Sequence, residues 1–306
     1  MITYNHEKYI ARAIESVLKQ QTDFKYELVI GEDCSTDNTR NIVQSYHTRC
    51  PDKIRLNLPE HNQGMIPNFI ATLAECKGKY IALCEGDDYW TDSYKLQKQV
   101  DFLETHSNYV LVGSNAISVR EDENFLKARL IHDFAESFDV DTAYLMEKNP
   151  FPTLTTCFRN NLIKEFPEIY FSGMGGDRRL YLLLSQYGKC RYISDVVGVY
   201  RVHRTGATHI FSQGVAGQMA RYKEQIKNAR NWNRYFKNAY ISQERLVVDK
   251  NAFALVRLCL KTGHLQEAIN YVRYVDIVSG NYPWYWKFVF QVLMRLSLFV
   301  SRNRDI

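Results

Sequence analysis

Three carboxylates crowd the end of one apolar run. In YIALCEGDDYW, residues 80–90, Tyr80 to Cys84 read as a short buried strand, and Glu85, Asp87 and Asp88 follow within four positions. Like charges so close disfavour one another's ionised forms unless something positive lies among them. Hard divalent cations take carboxylate oxygens, and Mg²⁺ is typically held by one or two carboxylates together with substrate phosphates. The chemistry favoured here is a metal ion carrying a nucleoside diphosphate. A second acidic strand end is GEDCSTD, residues 31–37, in which Ser35, Thr36 or Asp37 suits the N-cap of the following helix. That leaves Glu32 and Asp33 unexplained. After EGDD, Thr91 or Asp92 is the better cap, so capping does not account for the acids there either. Two further clusters stand out: TYNHEKYI (3–10), and GMGGDRRL (173–180) followed by YRVHRTG (200–206).

For these groups to share a pocket, several strand ends must come together. YELVIG (26–31) reads as a strand and STDNTRNIVQSYHTRC (35–50) as a polar-capped helix. KIRLNL (53–58) and MIPNFIATLAECKG (65–78) repeat the pair, the helix placing Ile66, Phe69, Ile70 and Leu73 on one face. The 80–84 strand follows, then a helix from Thr91 or Asp92 to about His106 with Leu96, Val100 and Leu103 inward. Strands joined through such crossovers pair in parallel, with helices on both faces of the sheet. Ligands then bind at the carboxyl ends of the strands. GEDCSTD and CEGDDYW both fall at those ends and are expected to face one pocket.

The first helix, with Ile10, Ile14, Val17 and Leu18 on one face, begins almost at once. A doubly wound α/β domain has a strand ahead of it, and only MIT (1–3) is left for that strand, which is expected to be truncated. Either the start is set too far downstream or the strand is absent. After YVLVGSNAISV (109–119) the pattern is mixed. FPTLTTCFR (151–159), CRYISD (190–195) and VVGVYRVH (196–203) read as shorter strands, and GGDRRLYLLLSQYG (175–188) as a loop and a helix. From about Gln213 the chain reads as helical, and NAFALVRLCLKTGHLQEAINYVRYV (251–275) as one helix–turn–helix hairpin, which alone establishes no repeat array. The last segment is apolar and aromatic, but Lys287, Gln291 and Arg295 interrupt the run of about 20 charge-free residues that a membrane span needs. Two readings stand side by side: an interfacial helix with Trp284 and Trp286 at headgroup level, and a helix packed on the preceding hairpin.

Composition bounds the rest. Across 306 residues, 45% hydrophobic and 24% charged describe an ordinary globular chain with room for one large domain and an appendage. A net charge of +5 is mild for this length and gives no reason to expect nucleic acid. The seven cysteines form no CxxC pair and no zinc spacing, and the first residues lack the apolar stretch of a signal peptide, so reduced thiols in the cytoplasm are expected.

Taken in order, TYNHEKYI…SVLKQ, YELVIGEDCSTDNT, NQG, GKYIALCEGDDYW, GGDRRL and YRVH resemble a family 2 glycosyltransferase of the GT-A fold, over roughly residues 1–210. CEGDDYWTD…KLQKQVDFLE is similar to bacterial enzymes that build surface polysaccharides, lipopolysaccharide and capsule included. The resemblance implies a GT-A domain over 1–210 and a helical extension over 211–306, with 282–302 as the segment for any peripheral membrane contact. It places Thr3, Tyr4 and Asn5 at the base and ribose of the nucleotide. Asp33 matches the aspartate that contacts the base, and Glu32 stands where another aspartate precedes it. Asp87 matches the last aspartate of the D-x-D motif, the metal ligand, and Glu85 replaces the first, a ribose or metal contact. Asp88 is either a supporting partner behind the metal ligand or a sugar contact, and Trp90 falls on the sugar or acceptor side. Asp177 matches the catalytic base. The bulky Trp–Pro pair usual after it is replaced by Arg178 and Arg179, which would suit an anionic acceptor such as a lipid diphosphate. His203 matches a position that reaches the metal or the diphosphate. The implied reaction is an inverting transfer from a nucleotide-diphosphate sugar, UDP-linked by family preference, to a hydroxyl of a glycan or lipid-linked acceptor. It would use Mn²⁺ or Mg²⁺, in the cytoplasm or at the inner face of the cytoplasmic membrane.

Other classes fit less well. No G-x-G-x-x-G follows the first strand and no GxxxxGK[ST] is present, which removes the usual dehydrogenase and P-loop signatures. A sugar nucleotidyltransferase would share the metal-bound carboxylates but carry a glycine- and lysine-rich loop near the N-terminus, and residues 1–12 have none. A catalytically inactive scaffold that binds a membrane or partner is favoured by the curtailed first strand and disfavoured by Asp33, Asp87 and Asp177.

Overall fold

The computed structural model describes residues 1–120, 128–173, 175–204, 206, 214–276, 278, 280 and 282–302. The chain divides into two compact units, Met1–Phe171 with Gly175–His203 and Ser172–Met174 with Arg204–Ile306. The boundary expected between residues 210 and 211 lies outside the described residues, as do Met174 and Thr205 of the quoted clusters.

The first unit begins with β–α alternation: β1 (Ile2–Thr3), α1 (Ile10–Leu18), β2 (Leu28–Glu32), α2 (Thr39–Arg49), β3 (Ile54–Asn57), α3 (Met65–Ala74), β4 (Tyr80–Ala82), β5 (Tyr89–Trp90) and α4 (Lys95–Thr105). β1, β2 and β3 form a parallel sheet with Ile2 opposite Gly31 and Leu28 opposite Ile54. The first strand is present but only two residues long. Every residue of β2 is buried, as a central parallel strand covered on both faces must be. Ile10, Ile14 and Val17 of α1 pack with Leu28, Ile30, Val43 and Ile54 in one cluster. α3 departs from its apolar pattern. Asn68 and Thr72 are its buried residues, because Asn68 Nδ2 donates to Gly31 O at 3.0 Å and Thr72 Oγ1 donates to Asn68 O at 2.7 Å.

The rest of the unit contributes β6 (Tyr109–Arg120), β7 (Arg129–Leu130), β8 (Phe138–Val140), α5 (Thr142–Glu147), β9 (Cys157–Arg159), α6 (Gly176–Leu184) and β10 (Lys189–Val202). A seven-stranded mixed sheet runs β4-β9-β6-β10-β5, with β7 on β6 and β8 on β10. The two short strands expected over 190–203 are one strand. Its register against β6 slips between Ile193 and Val196 and again between Val196 and Val199. Such irregularities bend a strand without ending it, and the stretch beyond them pairs Val199 with Tyr89 of β5. That pairing brings the end of β10 to the acidic turn after β4.

The second unit contains α7 (Gly214–Tyr235), α8 (Ile241–Lys261), α9 (Leu265–Val272) and α10 (Trp284–Arg302). The expected hairpin is α8–α9. It turns at Gly263, whose φ of +79° favours glycine, and His264 N donates to Cys259 O at 2.8 Å to close the helix end. Ala252, Leu255, Val256, Cys259, Ala268, Val272 and Phe290 form its core. Among the described residues no helix is long and apolar enough to cross a membrane.

Candidate active site

The loops after β1 and β2 are laced together. Asn5, in the left-handed region at φ 56°, accepts from Thr36 N at 2.8 Å through Oδ1, and its own N donates to Ser35 Oγ at 2.9 Å. His6 N donates to Thr39 Oγ1 at 2.8 Å. Glu7 N donates to Asp37 Oδ2 at 3.0 Å, while Glu7 Oε2 accepts from Asn38 N at 2.9 Å. Thr3 is buried, and its O accepts from Asp33 N at 3.0 Å. Of the three residues expected at the nucleotide, Thr3 and Asn5 thus hold the loops, and Tyr4 is 42% exposed.

Glu32 is fully buried. Its Oε1 accepts from Ser35 N at 2.7 Å and its Oε2 is ion-paired to Arg40, which also donates to Pro59 O at 2.9 Å. Both oxygens of this expected nucleotide contact are engaged in fastening the loop to α2. Asp33 accepts from Gln63 N at 2.8 Å and Gly64 N at 2.9 Å, one bond per oxygen, and so holds the NQG turn against the end of β2.

The turn after β4 is built differently. Glu85 has a buried Oε2 with no hydrogen-bond partner. Burial first, and then the charge of Asp87, push its carboxyl up to about 8. Asp87 Oδ2 lies 3.0 Å from His203 Nε2 and 3.7 Å from His6 Nε2. Burial raises the Asp87 pKa, but the His203 hydrogen bond and the two imidazoles outweigh it, and the net shift is downward. Burial lowers the pKa of His6. One ligand atom from each of His6, Asp87 and His203 lies within 4.8 Å of the others. The close approach of β1 to this turn depends on Gly86, where a Cβ would stand 2.5 Å from Thr3 Oγ1 and 3.0 Å from His6 Nδ1.

Asp88 and Trp90 do not face an open site. Asp88 is 1% exposed, and its Oδ1 accepts from Arg201 N at 2.8 Å. Burial and the neighbouring carboxylates raise its pKa well above the usual range. Trp90 is a core residue: Nε1 donates to Leu154 O at 2.6 Å, and the buried Lys95 Nζ lies 4.2 Å from the ring centroid. Both residues are thus packed inside the unit, Asp88 as a partner of the Arg201 backbone. YW forms β5, the edge strand of the sheet beside β10, and Trp90 is buried there in the cluster that holds Ile14 and Val17 of α1 and Leu154.

Asp177 opens α6. Its Oδ2 accepts from Asn149 Nδ2 at 3.0 Å and lies 3.4 Å from Thr153 Oγ1. Its charge is the smallest of the causes that raise the pKa of Glu85. Arg178 turns away: Nε donates to Leu145 O at 2.7 Å and a second nitrogen to Met146 O, which caps the carbonyls of α5. Arg179 is buried and donates to Gly175 O at 2.8 Å and Tyr170 O at 2.6 Å. Both arginines expected to suit an anionic acceptor are fastened to backbone carbonyls inside the unit.

The sequence reasoning passed over His6, Arg201, Asn149 and Thr153. His6 lay inside a quoted cluster, and the signal was a histidine two residues beyond Tyr4 on a strand-end loop. Arg201 donates to Asp87 O at 2.6 Å, and its guanidinium sits 4.5 Å from the Tyr89 ring centroid. It pins the backbone that carries Asp87. Asn149 and Thr153 had no local signal, because only the fold brings them to Asp177.

The donor set fits a divalent cation. Two imidazoles and a carboxylate converge, and an unpartnered buried carboxylate oxygen belongs to the same turn. Comparison with known proteins agrees with this architecture. The model of glycosyl transferase family 2 matches residues 1–166. A protein of Mycobacterium tuberculosis is 32% identical over 208 residues, which cover 68% of this chain and 59% of that protein, so the chain spans less than two thirds of this relative's length. Poly(ribitol-phosphate) β-N-acetylglucosaminyltransferase TarS of Staphylococcus aureus is 33% identical over 115 residues, 36% of this chain and 19% of TarS. A crystal structure of TarS residues 1–349 in complex with UDP-GlcNAc superposes with a TM-score of 0.57 at 20% identity, covering 90% of this chain and 80% of that one. A mannosyltransferase of Pyrobaculum calidifontis in complex with GDP-Man and Mn²⁺ gives 0.55 at 16% identity, covering 98% and 78%. The fold is thus that of nucleotide-sugar transferases, and the chain belongs to glycosyl transferase family 2.

Proposed function

We propose that the first unit transfers a sugar from a nucleotide-diphosphate donor, a UDP-sugar, to a hydroxyl of a glycan or lipid-linked acceptor, with inversion, in the making of a cell-surface polysaccharide. The observation that carries this reading is the convergence of His6, Asp87 and His203 beside an unpartnered oxygen of Glu85. TarS with UDP-GlcNAc and the mannosyltransferase with GDP-Man and Mn²⁺ support a nucleotide sugar and a divalent ion. TarS by its name acts on poly(ribitol phosphate), which supports an acceptor of the surface-polymer kind.

His6, Asp87 and His203 would hold the ion, with Glu85 facing it. Two imidazoles beside a carboxylate tilt the set from Mg²⁺ toward Mn²⁺. Bound there, the ion supplies positive charge to the diphosphate oxygens. Tyr4 offers its exposed ring to the base, and Asp33, with a lone pair left on each oxygen, faces a base N–H. Asp177, oriented by Asn149 and Thr153, takes the proton of the acceptor hydroxyl. The oxygen attacks the anomeric carbon, and the bond to the diphosphate breaks with its electron pair leaving on the diphosphate. One displacement inverts the carbon. In the second unit Trp284, Phe288 and Val292 are exposed at intervals of four on α10. That stripe supports peripheral contact of 282–302 with a membrane face on the cytoplasmic side.

Calorimetric titration of UDP, with and without Mn²⁺, tests the proposal. Manganese-dependent binding that Asp87→Ala abolishes is expected. UDP, GDP and CDP all failing to bind in the presence of Mn²⁺ would contradict it.

A further inference from the structure

The two units differ in charge. The second unit, whose Ser172–Met174 segment is uncharged, holds 16 Lys and Arg against 6 Asp and Glu, a net charge of +10. The first holds 23 against 28, a net charge of −5. The mild value of the whole chain conceals this division. Charge asymmetry between parts of one chain points to an anionic partner for the basic part.

The excess has a place in the fold. Lys223, Lys227, Arg230 and Arg234 of α7 follow one another at steps of four, three and four residues, which puts all four on one face of the helix. At a rise of 1.5 Å per residue the row is about 16 Å long. The buried Ile226, Ala229, Trp232 and Asn233 lie off this row. Glu224 is the single acid of α7, and its Oε1 is buried, so it is drawn inward rather than out along the row. Glu267 of α9 reaches Lys223 at 2.9 Å. Lys227 and Arg234 are exposed, and among the described residues no acid meets either. Just past α9, Tyr274 lies against two guanidiniums, with the central carbon of Arg230 4.1 Å and that of Arg273 4.9 Å from its ring centroid. Burial raises the Tyr274 pKa, but the hydrogen bonds and charges of Arg230 and Arg273 outweigh it, and the net shift is downward. The face is a region of positive charge that the fold does not neutralise.

Its chemistry differs from that of α10. The large apolar side chains that α7 exposes, Val215 and Tyr235, sit at its two ends. A membrane surface is entered by apolar side chains, as α10 has in Trp284, Phe288 and Val292. A row of cations with none among them suits a soluble chain that carries anionic groups at intervals along its length. We propose that this face of α7, together with Arg273, holds a linear anionic glycan or polyol polymer with phosphate or carboxylate groups repeating along it. This deepens the reading of a surface-polymer acceptor and rests on that reading for the identity of the polymer. The second unit retains the chain that the first unit glycosylates.

The test is fluorescence anisotropy of a labelled glycerol-phosphate oligomer with the full chain, in the absence of nucleotide and Mn²⁺, across about 50–200 mM salt. Lys227→Gln with Arg234→Gln is expected to weaken binding about tenfold at low salt and to lower the slope of log affinity against log salt by roughly one to two, as two phosphate contacts are lost. The unfolding midpoint should match the parent's, because both side chains are exposed. Lys19→Gln with Lys25→Gln removes the same charge from exposed positions of the first unit and should leave binding within about twofold. Equal loss in both pairs, or loss in neither, would overturn the proposal. So would loss of binding to phosphatidylglycerol vesicles in the α7 pair with oligomer binding intact, since the partner would then be a membrane. Tighter binding of a single-stranded DNA of equal charge would overturn it as well. The transfer reading fails separately, because absence of UDP binding in the presence of Mn²⁺ leaves the oligomer measurement untouched.

Discussion

At the end of β2, Glu32 is fully buried and both its oxygens are engaged, by Ser35 N and by Arg40. At the end of β4, Glu85 carries a buried oxygen with no partner, and Asp87 meets two imidazoles through one oxygen. Both stretches are acids following an apolar strand in the same α/β unit. The difference lies in who supplies the counter-charge. α2 brings Arg40 back onto the first acid, whereas the turn from β4 to β5 is too short to return a cation of its own. Arg201 of β10 reaches only the backbone oxygen of Asp87, and the groups that meet the Asp87 carboxylate, from the β1 loop and the end of β10, are histidines. On the proposed reading, the saturated carboxylate is scaffold and the under-saturated one beside imidazoles is site.

The largest expected effect is at the acid held by neutral donors. Asp177→Asn should cut transfer by about 10²–10⁴-fold, the range of a general base, while manganese-dependent UDP affinity stays within about twofold in the same preparation. Loss of binding along with turnover would move Asp177 into the donor site.

The second effect sharpens the contrast through pH. Glu85 in the folded protein has its pKa raised to about 8, above the ordinary value of about 4.3. The folded state therefore keeps a proton that the unfolded chain releases between these values. Its contribution to stability is complete below the lower value and is lost as pH rises through the upper one. Unfolding midpoints at pH 5, 7 and 8.5, without metal, should fall with pH in the parent and fall less in Glu85→Gln. A Glu85→Gln profile as steep as the parent's would show that another group, such as Asp88, governs the region.

The smallest effect concerns Arg178, which is placed to cap α5. Arg178→Met should cost about 1–2 kcal/mol of stability through the lost bonds to Leu145 O and Met146 O. Donor affinity should be unchanged. A selective loss of turnover with stability intact would restore it to the acceptor side.

The alternation of strands and helices was legible, because apolar periodicity at 3.6 and at continuous short runs is a local property. So was the location of the acids at strand ends. Which acids remain open was not, because Arg40 closes Glu32 from eight residues away and Arg201 closes Asp88 from 113 residues away. Trp90 carried a similar ambiguity: an aromatic residue after EGDD reads as a sugar platform until β10 is seen to pair with it. His203 could be placed by resemblance, but its approach to His6 depends on β10 running unbroken past three register shifts, which no local pattern discloses.

The most direct measurement pairs Glu32→Gln with Asp87→Asn, following thermal unfolding and UDP–Mn²⁺ affinity in each. The contrast predicts that Glu32→Gln loses about 3 kcal/mol of stability, since Arg40 is left without its partner, and keeps manganese-dependent binding. Asp87→Asn should unfold near the parent's midpoint and lose that binding. The reverse pattern, with Glu32→Gln blind to UDP and Asp87→Asn merely unstable, would contradict the account.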